Sequence, residues 1–201
     1  MNRRFALWSV LVLVIAVAGV RAQETNPSYR YEIGMFAEDF RFGRVSPTLD
    51  MPGAGARVSV FPTSPVQLEI EMSYNFAQTF TSSWTNGFAT DLLDTHLRVL
   101  RGLGGMKFDK HLGKRPLRIF AVTKVGFISF SSSTSGIPQG FSNPQVPATG
   151  GGNDFVVYPG GGLEYSFGRF GLRFDVGDDL YFDHGHRYNN IRGTFGPTFR
   201  F

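Results

Sequence analysis

From Val66 to Phe76 the chain alternates without a break. Val66, Leu68, Ile70, Met72, Tyr74 and Phe76 fall on one phase; Gln67, Glu69, Glu71, Ser73 and Asn75 fall on the other. Successive side chains of a strand point to opposite faces, so the pattern predicts a strand with one apolar and one charged face. Eleven residues of alternation is long beside the roughly 5–6 of an ordinary strand. It matches the roughly 9–11 that a tilted strand needs to cross a bilayer. The C-terminal stretch has the same form: Ile191, Phe195, Phe199 and Phe201 alternate with Asn190, Arg192, Thr194, Gly196, Thr198 and Arg200.

The period of two extends over most of the chain between these two stretches and before them. A first strand sets Tyr31, Ile33, Met35 and Ala37 against Glu32, Gly34, Phe36 and Glu38, and a polar stretch from Asp39 to Asp50 follows as a connection. A second runs near Ala54 to Phe61, with Val58 and Val60 opposing Arg57 and Ser59, and ends at a turn carrying Pro62 and Pro65, which cannot extend a ladder. Beyond Phe76, residues 77–92 read as a longer connection. The fourth strand, about Asp94 to Phe108, is irregular: His96 and Arg98 oppose Leu97 and Val99, yet Arg101 falls on the apolar phase. A bulge at Gly102, Gly104 and Gly105 would reset that phase. The fifth, Leu117 to Phe130, sets Leu117, Ile119, Ala121, Val125 and Phe127 against Arg118, Lys124 and Gly126. Residues 131–152 are rich in Ser, Gly, Pro and Asn and read as a long loop. The sixth strand spans about Asp154 to Phe167, Gly168-Arg169 is a two-residue hairpin signal, and the seventh spans Phe170 to Phe182.

The count is eight strands. Connections after the second, fourth and sixth are short, those after the first, third and fifth are long, and the one after the seventh is intermediate. The expected fold is all-β: an eight-stranded antiparallel up-and-down transmembrane barrel, with short turns on one side and longer loops on the other. An even strand number puts both termini on the same side, and eight strands enclose a bore that side chains can fill.

Composition adds two constraints. The 201 residues contain no cysteine, so no disulfide framework stabilises the fold, and 15% are aromatic. Residues 1–22 read as an export signal: Arg3 and Arg4, a run from Phe5 to Val20 interrupted only by the small Ser9, and Val20-Arg21-Ala22 as a cleavage site. Its removal takes Arg3, Arg4 and Arg21 away and lowers the formal net charge from +4 to +1. No basic run remains, so no nucleic-acid partner is expected. The mature domain is then 23–201, and any membrane it enters it must cross as strands.

Against that background the chain resembles the small eight-stranded outer-membrane β-barrels of the OmpA and OmpX type. The residues carrying the likeness are Gly160-Gly161-Gly162-Leu163-Glu164-Tyr165, the Gly168-Arg169 hairpin, Leu172-Arg173-Phe174-Asp175, and Asn189-Asn190 through Phe201. The likeness covers about Tyr29 to Phe201. It implies location in the outer membrane of a Gram-negative-type bacterium, outer-membrane lipids as surroundings and a monomer. It also implies that the barrel assembly machinery reads Phe199 and Phe201 as a C-terminal assembly signal. Nothing follows Phe201, so the peptidoglycan-binding domain of two-domain members, and a cell-wall tethering role, are not expected.

Twelve charges fall on the inward phase: Glu32, Arg57, Glu69, Glu71, Arg98, Arg118, Lys124, Glu164, Arg173, Asp175, Arg192 and Arg200. An Arg or Lys facing lipid at the midplane would cost about 2–4 kcal/mol, which assigns these charges to the lumen. Five acids and seven bases in a narrow bore predict a paired network that fills it; the alternative is a narrow, porin-like channel with a mild anion preference. A third reading, a soluble lipocalin-like periplasmic barrel, requires the opposite polarity of the two faces. By the same logic an arginine at Ile70 should harm assembly more than one at Glu71.

Asp183-His184-Gly185-His186 with Asp178 and Asp179 could offer ligands to a divalent ion, but no third ligand stands at a diagnostic spacing, so no metal or other cofactor is expected. His96 and His111 have no serine in a nucleophile motif, so no enzyme is expected. Gly102-Leu103-Gly104-Gly105 and Gly160-Gly161-Gly162 open no helix; bulges or close packing explain them better than phosphate binding.

Overall fold

The computed structural model describes residues 29–43, 48–63, 66–85, 90–113, 116–135, 152–183 and 185–201. The leader expected at 1–22 and its cleavage site lie outside the described residues. Eight antiparallel strands close into one barrel in chain order. They are β1 Tyr31–Phe42, β2 Leu49–Thr63, β3 Val66–Thr85, β4 Thr90–His111, β5 Leu117–Ser135, β6 Gly152–Phe167, β7 Phe170–Asp183 and β8 His186–Arg200. Closure joins the first strand to the last, with Ile33 opposite Phe199 and Phe40 opposite Arg192. A closed ladder leaves no edge within the wall, the condition for a sheet to sit in lipid. We therefore expect the unheated folded protein to migrate faster than the boiled protein on a detergent gel. Identical mobility would overturn closure.

Several strands run further than the alternation suggests. The polar stretch after Ala37 continues as ladder, because Asp39, Arg41 and Asp50 face outward while Phe40, Phe42 and Met51 face the bore. Arg41 pairs with Asp50 across the two strands at 2.8 Å. Most of the connection expected at 77–92 is a β3–β4 hairpin that reaches Thr85 opposite Thr90. The alternation is lost there because the β3–β4 register shifts between Asn75 and Gln78. That irregularity lies in β3, not at Gly102–Gly105, where β4 pairs with β5 in constant register. The expected asymmetry between the two ends is thus carried partly by strand length rather than by loops.

Two glycine readings are decided by contact. Through Gly160–Gly162 the register with β5 is constant, so this is close packing and not a bulge. A Cβ on Gly162 would strike the Phe174 carbonyl of β7, and one on Gly160 would meet the Tyr158 ring. Gly168 has φ +64 and makes the two-residue β6–β7 turn between paired Phe167 and Phe170.

Candidate functional site

The lumen is where the chemistry gathers. Alternation sends every second residue inward, and along β3 the contrast is sharp: Ile70 is 69% exposed on the outer wall and Glu71 is 2% exposed inside. Toward the end carrying both termini, Arg200 donates to Glu32 at 2.6 Å and also bonds Glu164. Glu164 further accepts from Lys107 at 2.7 Å, while Arg118 pairs with Asp109 at 3.0 Å.

The middle layer is built around Glu69. It accepts from Arg173 at 2.5 and 3.2 Å, from Lys124 at 2.5 Å and from Ser59 at 3.2 Å, with Arg57 at 4.0 Å. Arg57 bonds Asp175 at 2.8 Å, and Asp175 also accepts from Tyr158 at 3.0 Å. Glu71 takes Lys124 at 2.5 Å and Arg192 at 2.6 Å. In a ring of eight, β3 and β7 face each other directly, so the Arg173–Glu69 contact crosses the whole bore. Aromatic rings fill the spaces between ions: Arg57 lies over Phe36 at 4.3 Å, Arg173 over Phe120 at 4.4 Å and Arg192 over Tyr158 at 4.1 Å.

Above this, Arg101 bonds Asp179 at 3.0 Å and Asn75, and reaches Glu38 at 3.3 Å. Arg192 links this layer to the one below through Glu38 at 3.6 Å and Asp179 at 3.9 Å. The loop end of the bore is apolar. Phe42, Met51, Leu97, Val99, Phe130 and Tyr181 are buried in one cluster there, with Phe42–Phe130 and Phe130–Tyr181 centroids at 5.5 and 5.2 Å.

Eleven of the twelve charges assigned inward by phase are buried in this network. Arg98 is not: it is exposed on the outer wall, while Leu97 and Val99 face in. The assignment failed because a charge is forced inward only within the hydrocarbon. Arg98 pairs with Ser131 and sits beyond the apolar band, beside outward Thr79 and His96. The same inversion hid Arg101, which is inside. Glu38, Lys107, Asp109 and Asp179 also join the network. Glu38 continues the β1 alternation and could have been read from it; Lys107 and Asp179 needed the true register of their strands. Among the described residues the network therefore joins eight acids to eight bases, rather than five to seven. The charge excess behind an anion preference is gone.

Of the weaker candidates, His184 lies outside the described residues. Among those described, no three His, Asp or Glu side chains form a metal-holding group. His96 pairs with Thr79 at 2.6 Å across the β3–β4 hairpin, and His111 is exposed at the end of β4. Phe199 and Phe201 stack at 6.2 Å on the outer wall.

Outside, the wall is apolar from Ile33, Met35, Val58, Ile70 and Met72 round to Phe174, Val176 and Phe195. A closed eight-stranded barrel, apolar outside and ion-paired within, is a membrane barrel of the outer-membrane type. No family model and no curated protein matches the sequence. Solved structures match in fold. Neisserial surface protein A aligns at 8% identity with a TM-score of 0.59, covering 85% of this chain and 97% of that one. The outer membrane protein OprG from Pseudomonas aeruginosa aligns at 10% identity with a TM-score of 0.54, covering 86% and 96%. The chain thus has the small eight-stranded outer-membrane barrel fold that its resemblance implied, and this fold with this exterior places it in an outer membrane. A soluble lipocalin-like barrel is ruled out by the inverted polarity of its faces.

Proposed function

We propose that the protein is a structural or surface-interaction barrel of the outer membrane, neither a channel nor an enzyme. The observation that supports this best is the Arg173–Glu69 contact, which ties opposite walls together at 2.5 Å across the bore. The apolar cluster around Phe42, Phe130 and Tyr181 lies in series with it, toward the loop end. Eight acids paired with eight bases fill the interior. Its surroundings on this reading are outer-membrane lipids, and the barrel assembly machinery would read Phe199 and Phe201; it works as a monomer, without nucleic acid. In planar bilayers the purified protein is expected to show no steady conductance above the bare membrane. Stable openings in the wild type would overturn the reading.

One observation favours the narrow-channel alternative. Glu38 Oε2, Asp179 Oδ1 and Arg192 Nη1 are buried without a hydrogen bond, at one level of the bore. Water between these groups would satisfy them. That level is still bounded by the apolar cluster on one side and the Glu69 layer on the other, so the closed reading is preferred.

A further inference from the structure

Along the terminal rim, six aromatic rings make an unbroken chain of contacts. Tyr165 meets Phe167 at 6.2 Å, Phe167 meets Phe170 at 6.4 Å, and Phe170 meets Phe199 at 5.0 Å. Phe199 then meets Phe201 at 6.2 Å, and Phe201 stacks on Tyr31 at 5.8 Å. The chain runs over β6, β7, β8 and β1, four adjoining strands, and five of its rings are about half exposed. Over β2–β5 the exposed large apolar side chains nearest this rim are aliphatic: Val60, Leu68, Met106, Leu112 and Ile119. Phe108 on β4 is the outward ring on that side and is less exposed, so the strongly exposed rings concentrate on one half, whereas interfacial anchoring alone would spread them evenly round the rim.

Two exposed arginines border the aromatic half. The Arg30 backbone donates to the Phe201 carbonyl at 3.1 Å, and the Arg169 carbonyl accepts from Arg200 at 2.8 Å, so they stand on either side of the end of β8. No described Asp or Glu side chain is exposed at this end of the barrel, so the one carboxylate beside them is the α-carboxylate of Phe201. Glu32 and Glu164 are turned inward onto Arg200, and Asp109 onto Arg118. With two guanidinium groups against that single carboxylate, the half-rim presents a net positive charge beside a face of flat apolar rings.

We propose that this half-rim is a contact site for an anionic phospholipid, with its phosphate on Arg30 and Arg169 and an acyl chain along the rings. The inference rests on the membrane-barrel reading. A phospholipid carries both halves of the match, negative charge and hydrocarbon, at the spacing of an interface, whereas a free anion would use only the arginines. Guanidinium suits phosphate oxygens through its paired donors, and juxtamembrane cations attract anionic headgroups.

The test uses the mature protein folded in micelles doped equally with phosphatidylglycerol and phosphatidylcholine, with lipid retention read by native mass spectrometry. The wild type should retain phosphatidylglycerol over phosphatidylcholine by on the order of tenfold. Arg30→Gln/Arg169→Gln should abolish the preference, each single substitution should give an intermediate value, and Lys110→Gln, on the aliphatic half of the rim, should keep it. Equal retention of both lipids by the wild type would overturn the proposal. So would an equal loss in Lys110→Gln, which would mean general attraction by the rim, or displacement by millimolar inorganic phosphate, which would mean a free-anion site. Heat-dependent gel mobility is read on the same samples. Its loss in the wild type would bring down the barrel reading and this inference together; its presence alongside equal retention would bring down this inference alone.

Discussion

Glu69→Gln is expected to cost the barrel about 3–5 kcal/mol, the range for removing one partner of a buried ion pair. Glutamine keeps the volume and a carbonyl for Ser59, so the loss reports charge. Arg173 and Lys124, each at 2.5 Å from the carboxylate, and Arg57 at 4.0 Å would then lose the anion they share. Asp175 can still serve Arg173 and Arg57, at 3.0 and 2.8 Å, and Arg192 still serves Glu71. Lys124 keeps only Glu71, at 2.5 Å and shared with Arg192, so Glu69→Gln/Lys124→Met should recover part of the loss. The folded fraction on unheated gels, followed through a urea series in one detergent, measures all three proteins in a double-mutant cycle. A loss below about 0.5 kcal/mol for Glu69→Gln, within the range of an ordinary surface substitution, would mean that water already screens this layer and that the bore is open.

The second large effect is set by orientation in the wall. Ile70→Arg places a cation on the lipid side of β3, midway along its apolar stretch Val66–Phe76, and should cost about 2–4 kcal/mol. The alternation alone suggests that Glu71→Arg would be milder, because a lumen offers water or an acid. The structure narrows that gap: Glu71 is the acceptor for Lys124 and Arg192, and an arginine there would meet two buried cations. Stability alone will not separate the two faces, but labelling will. A cysteine at position 70 should resist water-soluble thiol reagents in membranes and respond to lipid-borne quenchers, while one at 71 should show no lipid contact. Labelling of both by a bulky aqueous reagent would reject the register and the bilayer placement together.

What could be read from the chain was whatever the bilayer itself imposes. Where a strand lies in hydrocarbon, one face must be apolar, and a period of two in Val66–Phe76 or Ile191–Phe201 states the fold, the phase and most of the lumen charges at once. The same rule misled above the band. There neither face is constrained by lipid, so Leu97 and Val99 could turn inward to build the apolar cluster while Arg98 turned out to water. With Leu97 and Val99 turned inward, Arg101 falls on the same inward phase.

The sequence by itself determined eight membrane-crossing strands, a charged interior and the short turn at Gly168. These follow from local periodicity and local backbone chemistry, each contained within a dozen or so neighbouring residues. Only the tertiary structure decided which charges meet. Pairing across the bore joins residues as far apart as Glu69 and Arg173, or Glu71 and Arg192, and depends on the stagger of eight strands around a closed ring. Stagger is a property of the whole barrel, so the equal count of acids and bases, the contact that closes the bore and the aromatic half-rim all became visible only once the ring was closed.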